Sequence, residues 1–240
     1  MTVFIAGATG ATGSLLTRLL LDNGFSVRVV VRSRLKLPQE LIGNPELSIR
    51  EASLLELSDD ELRSELYGCD AVASCLGHPL SVKGIWGKPR DLVTSATQRL
   101  CESLSVTNPE RSLRFILMSS SGVHNRSLSE PCSFLRSIAD CLLTFAVPPH
   151  ADNIKAASYL HALSNPDVQW VAVRPDALID QDEESPYDLY PSPIRDALFD
   201  AGKTSRINVA HFMMELLRSD ELWRKWFGQM PVIYNAQTST

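Results

Sequence analysis

Seven consecutive residues, Gly7-Ala8-Thr9-Gly10-Ala11-Thr12-Gly13, constrain this chain more than any other stretch because of what flanks them. Thr2 to Ala6 is a short β-branched and aromatic run that suits a strand buried on both faces. Ser14 to Asn23 carries Leu15, Leu16, Leu19 and Leu20 along one helical face, and Gly24 is placed to end that helix. Ser26 to Arg32, SVRVVVR, then reads as a second central strand. In a strand, G-x-x-G-x-x-G turn, helix and strand, each glycine has a task. The first allows a tight turn, the second lets the backbone approach a pyrophosphate, and the third lets helix pack closely on strand. Thr9 and Thr12 add hydroxyl donors beside the backbone N–H groups and the positive end of the helix dipole. The turn therefore predicts a dinucleotide site; the competing reading is a fold that keeps the turn without the ligand.

The alternation continues along the chain. Glu46 to Arg50, Asp70 to Leu76, Leu113 to Met118 and Val168 to Val173 read as strands, the last closed by Arg174 and Pro175. Between them, Ser58 to Tyr67 (capped by Ser58 or Asp59), Arg90 to Leu104 and Asp152 to Leu163 read as helices. This order predicts an α/β fold, a Rossmann-like doubly wound parallel sheet with helices on both faces. We expect a single domain over 1–240, with a core of 1–178 and a small C-terminal substrate-covering region over 179–240. There the acidic, proline-rich run Asp180 to Pro193 is expected to lie over the ligand crevice, offering Tyr187 and Tyr190 to a pocket. Helices over Asn208 to Arg218 and Asp220 to Phe227 and a last strand over Val232 to Tyr234 complete the region.

Composition narrows the function. A net charge of −5 gives no long-range attraction to nucleic acid or to an anionic membrane. No apolar run approaches the roughly 18–20 residues needed to span a bilayer. The start, MTVFIAGATG, lacks the features of a signal peptide, so a cytoplasmic location is expected. Cys69, Cys75, Cys101, Cys132 and Cys141 are odd in number and irregular in spacing, which fits reduced thiols rather than a disulfide framework or zinc site. His78, His124, His150, His161 and His211 stand too far apart in sequence to suggest metal ligation, so no metal is expected.

At the end of the second strand an NAD site places a carboxylate for the ribose 2′-hydroxyl. Arg32 and Arg34 stand there instead, with Lys36 close behind; a guanidinium can pair with a 2′-phosphate and stack on adenine. NADP(H) is therefore expected over NAD(H), the alternative for these cations being a solvated basic loop.

Taken together, the TGATG turn, VRVVVRSR, DAVASCLG, ILMSSSG, VAVRPDAL and INVAHFM resemble the atypical short-chain dehydrogenase/reductases, and more narrowly their NmrA-like and flavin reductase/biliverdin-IXβ reductase branch. The resemblance implies that Gly7, Thr9, Gly10, Ala11, Thr12 and Gly13 cradle the pyrophosphate and that Arg32 and Arg34 hold the 2′-phosphate. It also implies that Cys75, Leu76 and Gly77 line the ribose and adenine side, that Ser119 and Ser120 stand near the nicotinamide, and that Pro175 closes over that end. Active members use a Tyr-x-x-x-Lys pair, but four residues before Lys155 this chain has Ala151, and Tyr159 follows the lysine instead. Ser120, Lys155 and Tyr159 are the candidate catalytic residues, with His124 and His150 as further polar groups near the nicotinamide. The substrate side falls to Gly122 to Pro149 and Asp180 to Ser205, where Phe134, Leu135, Ile138, Leu142 and Phe145 read as core rather than pocket wall. The implied activity is hydride transfer from NADPH to a small aromatic or carbonyl acceptor such as a flavin or quinone. The alternative is a non-catalytic NADP(H)-binding sensor or assembly protein. A small-molecule acceptor is the partner expected, and a homodimer is left open.

Overall fold

The computed structural model describes residues 1–78, 87–107, 112–125, 127–128, 130, 148–196 and 200–236. Cys132, Cys141 and the apolar series Phe134 to Phe145 lie outside the described residues. The described residues form an eight-stranded sheet. Its strands are β1 (Thr2–Ala6), β2 (Ser26–Val31), β3 (Leu47–Glu51), β4 (Ala71–Ser74), β5 (Leu113–Met118), β6 (Val168–Pro175), β8 (Tyr187–Tyr190) and β10 (Val232–Asn235). Their spatial order is β3-β2-β1-β4-β5-β6-β10-β8, parallel throughout except for β8, which runs antiparallel to β10. A parallel pair, β7 (Ala177–Ile179) and β9 (Lys203–Ser205), stands apart from the main sheet.

Helices cover both faces, which is why the central strands carry almost no polar alternation. Val3, Phe4 and Ile5 of β1 are all fully buried. Val3 and Ile5 pack on the side of α1 (Ala11–Asp22) and α5 (Arg206–Arg218), joined by Trp223 and Trp226 of α6 (Asp220–Trp226). Phe4 packs on the other side, with α2 (Asp59–Leu66), α3 (Leu92–Thr107) and α4 (Pro148–Ala162). Side chains alternate across a strand, so this one five-residue run feeds two separate cores.

Several boundaries move for local reasons. α1 begins three residues earlier than its leucine pattern suggests, because the helix starts inside the glycine turn. Ser58 rather than Asp59 caps α2: its hydroxyl accepts the Glu61 N–H while the Glu61 carboxylate accepts the Ser58 N–H, an arrangement that stabilises a helix by about 1 kcal/mol. α4 starts at Pro148, four residues before Asp152, which places His150 and Asp152 in its first turns.

The acidic excursion does not lie over the crevice. β8 forms within it and pairs with β10 at the edge of the sheet, four strands from β4, or about 19 Å at the usual spacing between strands. Tyr187 and Tyr190 consequently serve packing rather than a pocket. The Tyr187 ring lies against His211 and Phe212 with its hydroxyl 2.9 Å from His211 Nδ1, and Tyr190 packs on Tyr234. Burial, with Glu215 and Glu184 nearby, pushes the Tyr187 hydroxyl up to about 12. Among the described residues no helix is long and apolar enough to cross a membrane.

Candidate functional site

The strand order reverses between β1 and β4, the place where open α/β sheets bind ligands. A crevice of about 770 Å³ stands there, within the roughly 300–1,000 Å³ of small-molecule sites. Gly7 to Gly10 form one wall. Gly7 has φ +86°, and a Cβ on it would lie 2.8 Å from the Cys75 carbonyl carbon, so the turn rests directly on the end of β4. Gly10 donates its N–H to the Gly7 carbonyl at 2.9 Å. Gly13 is the most confined: a Cβ would stand 2.2 Å from the Gly7 oxygen, so only glycine lets α1 approach its own strand this closely.

The start of α1 differs from the starts of α2, α3, α5 and α6. Ser58, Ser205 and Ser219 cap α2, α5 and α6 with their side chains, and Asp152 accepts the first amides of α3. Gly10 brings no side-chain cap, and the first turn of α1 holds no acidic residue. A helix start with unanswered N–H groups and a partial positive charge, opening on a side-chain-free cradle, suits a pyrophosphate. Arg32, Lys36 and Lys88, against Glu56, also line the crevice and add positive charge.

Of the residues expected around a cofactor, Gly7, Thr9, Gly10, Arg32, Cys75, Leu76 and Gly77 are on this wall. Ala11, Thr12 and Gly13 stand behind it in the first turn of α1, with Thr12 and Gly13 buried. Arg34 is not on the wall. It begins an exposed 3-10 turn over Arg34–Lys36, its backbone N–H donating to Glu51 Oε2 at 3.0 Å, and that turn brings Lys36 to the crevice in its place. Burial pushes the Cys75 thiol up to about 12, which leaves it inert as a nucleophile. Sequence reasoning missed Ala8, residues 52–56 after β3, and His78. In a parallel sheet the residues after each strand reach the same edge, and that rule would have found them.

Beside this crevice, the ends of β5 and β6 carry a second polar group of residues. Ser119 is buried, and its N–H donates to the Val173 carbonyl; Ser121 N–H likewise donates to the carbonyl of Pro175. These backbone bonds hold Ser119 and Pro175 at adjacent strand ends, away from the described crevice wall. The Ser120 hydroxyl accepts the Gly122 N–H at 3.2 Å. A Cβ on Gly122 would lie 3.6 Å from Ser120 Oγ and 3.5 Å from His150 Cε1, so both side chains border that glycine.

Next to them, Arg174 is fully buried and pairs with Glu130 through Nη2 at 2.8 Å and Nη1 at 3.2 Å. Its remaining donors go to the carbonyls of Met230, Val123 and Pro191. Burial pushes the Glu130 carboxyl up, but a hydrogen bond from His124 and the Arg174 guanidinium more than offset this and hold it down at about 2.

A family model described as NAD(P)H-binding matches residues 7–220, most of the chain. The chain belongs to the NAD(P)H-binding family. Three solved structures share the fold of this NAD(P)H-binding chain at low identity. One is a short-chain dehydrogenase/reductase from Veillonella parvula, determined in complex with NADP (17% identity, TM-score 0.67, covering 100% of this chain and 96% of that one). A protein from Streptococcus pneumoniae, proposed to be an NADH-flavin reductase, has 17% identity and TM-score 0.70 (98% of this chain, 100% of that one). A Rossmann-fold NAD(P)-binding family protein from Shigella flexneri has 17% identity and TM-score 0.64 (100% and 98%). Among curated proteins, none matches the chain.

In this NAD(P)H-binding chain, neither Lys155 nor Tyr159 is on the described crevice wall. Lys155 is exposed and its Nζ pairs with Asp91 at 2.7 Å. Tyr159 lies seven residues beyond Asp152 on α4, about 10 Å along the helix axis. There it packs against the core between α3 and α4. Burial, with Cys101 and Glu102 alongside, pushes its hydroxyl up to about 12. A phenol so placed is a packing residue, and it has no lysine to lower it.

Proposed function

We propose that this chain is an NADPH-dependent oxidoreductase that passes hydride to a small aromatic or carbonyl acceptor such as a flavin or quinone. The observation that carries the reading is the side-chain-free cradle of Gly7, Gly10 and Gly13 at the uncapped start of α1, opening on a crevice with Arg32 and Lys36 on its wall. Gly7 to Gly10 and the first turn of α1 would hold the pyrophosphate, Arg32 and Lys36 the 2′-phosphate, and Cys75 to Gly77 the ribose. The bound nicotinamide supplies the hydride, and the chain supplies orientation and exclusion of water. Ser120 and His150, both bordering Gly122, are the polar groups this reading places toward an acceptor.

The displacement of Tyr159 from the crevice favours a second reading, an NADP(H)-binding sensor without turnover. Titration of the protein with NADPH and NADH, followed by addition of a flavin or a quinone while reduced-nicotinamide absorbance is monitored, separates the two. Tight NADPH binding with oxidation on adding acceptor supports the reductase. Tight binding without oxidation supports the sensor, and no binding of either dinucleotide overturns both.

A further inference from the structure

Outside the glycine cradle, the crevice wall carries one side chain that another residue holds rigidly from behind. His78 follows β4 and lines the crevice, and its Nε2 lies 2.8 Å from Oδ2 of Asp152. Asp152 is fully buried on α4. Its Oδ2 also accepts the Val93 N–H at 2.8 Å, while Oδ1 accepts the Thr94 N–H at 2.9 Å and the Thr94 hydroxyl at 2.6 Å. One carboxylate therefore joins three elements: it caps α3, anchors α4, and orients the imidazole after β4.

The donor inventory fixes the imidazole. A carboxylate only accepts, so the His78 nitrogen facing it carries the hydrogen, which sets the Nε2–H tautomer of the neutral ring and leaves Nδ1 as its acceptor, in a side chain only 4% exposed. Among the described residues, no hydrogen bond is made to Nδ1. An imidazole on a crevice-lining residue, aligned by a buried carboxylate, is the geometry of an acid–base group rather than of a helix cap. The Asp152 bonds to Val93 and Thr94 already complete the cap without it. The same first turns of α4 place His150 beside Gly122, which Ser120 also borders. The charged groups around this corner are Lys88, Glu56, Arg32 and Lys36 lining the crevice, Asp91 before α3, and Lys155 on α4 paired with Asp91.

We infer that His78, oriented by Asp152, is the proton-exchanging group of this site. The inference rests on the reductase reading above. His78 takes up a proton from solvent at Nδ1 while keeping its Nε2–H on Asp152, and gives that proton to the oxygen of a carbonyl or quinone whose carbon takes hydride from the reduced nicotinamide. The acceptor gains two electrons, the hydride and one proton; NADPH is oxidised to NADP+. The ring then returns to its neutral Nε2–H form on Asp152.

His78→Gln tests this, because a glutamine amide can still donate to Asp152 and preserve the cap while removing Nδ1. The expected result is NADPH affinity within about threefold of the wild type, with oxidation by a quinone or aldehyde slowed roughly 10²–10⁴-fold and one ionisation lost from its pH–rate profile. Independently of turnover, ¹⁵N spectra of the wild-type imidazoles should show His78 as the Nε2–H tautomer and its Nδ1 resonance moving when NADP+ is added. Equal rates and pH profiles for His78→Gln and wild type, or an Nδ1–H tautomer, overturn the inference and leave the reductase reading standing. NADPH binding with no oxidation by any acceptor also overturns it. Wild-type protein that binds no NADPH removes the functional reading, and the inference with it.

Discussion

The Gly7–Gly13 turn and the corner around Asp152 both stand at the ends of sheet strands, yet they are built in opposite ways. The turn is seven consecutive residues shaped by backbone alone: a positive φ at Gly7, and a helix that starts within van der Waals reach of its own strand. The corner is made of side chains, with Asp152 reaching partners 74 residues away in His78 and 58 residues away in Thr94. The Arg174–Glu130 pair next to it has the same character, binding residues 44 apart. Backbone-built sites tolerate no added volume. Side-chain-built sites are sensitive to the loss of a single partner, because what remains is a buried polar group without its complement.

Glu130→Ala should break the side-chain-built half most severely, because it leaves the Arg174 guanidinium buried without a counter-charge. A loss of about 3–5 kcal/mol is expected in urea unfolding; a change below about 1 kcal/mol would show the corner to be as forgiving as a surface loop. The same pair has a pH signature. The Glu130 carboxyl is lowered on folding, so its contribution is present above the ordinary value of 4.5 and is lost as pH falls toward about 2. Thermal melts of wild type should fall across that window, and melts of Glu130→Gln should fall less.

Gly13→Val makes the corresponding break in the backbone-built half. With the Gly7 oxygen 2.2 Å from the new Cβ, overpacking should cost about 3 kcal/mol of stability and abolish dinucleotide binding. Retained NADPH affinity would mean that α1 can slide on β1. Arg32→Glu probes the rim of that half at smaller cost. NADPH affinity should drop roughly 10–100-fold, about 1.4–2.7 kcal/mol, with NADH affinity nearly unchanged; equal losses for both would remove Arg32 from the 2′-phosphate. Ser120→Ala should lower turnover roughly tenfold, about 1.4 kcal/mol, without moving NADPH affinity. Tyr159→Phe sharpens the comparison from its quiet end. A phenol packed away from the crevice should be worth under about 1 kcal/mol in stability, with turnover unchanged, and a fall in kcat would return Tyr159 to the site.

Much of this contrast was legible before any coordinates. β5 starts and ends where its residues Leu113–Met118 indicate, and the parallel sheet follows from strands alternating with helices. The helix starts were legible where a local signal existed, as with Ser58, and shifted where the cause was tertiary, as with α4. The acidic excursion was misplaced because nothing in DQDEESPYDLYPSP says that Tyr187 to Tyr190 will find an edge on β10, a strand more than 40 residues later. Tyr159 and Lys155 attracted attention as a residue-type pair, but spacing on a helix does not say which end of that helix meets the ligand.

What the sequence determined by itself was therefore the part of the molecule governed by neighbours in the chain. The glycine turn belongs to it, because φ, Cβ volume and helix initiation act over a few residues, and so does the two-sided burial of β1. Tertiary structure alone decided that Lys36 rather than Arg34 reaches the crevice wall, that Tyr187 packs at the sheet edge, and that Asp152 holds His78. Those outcomes depend on where separate elements stop and how their ends meet. A carboxylate's partners are chosen by distances of a few ångströms across the fold, and no local pattern in the chain encodes them.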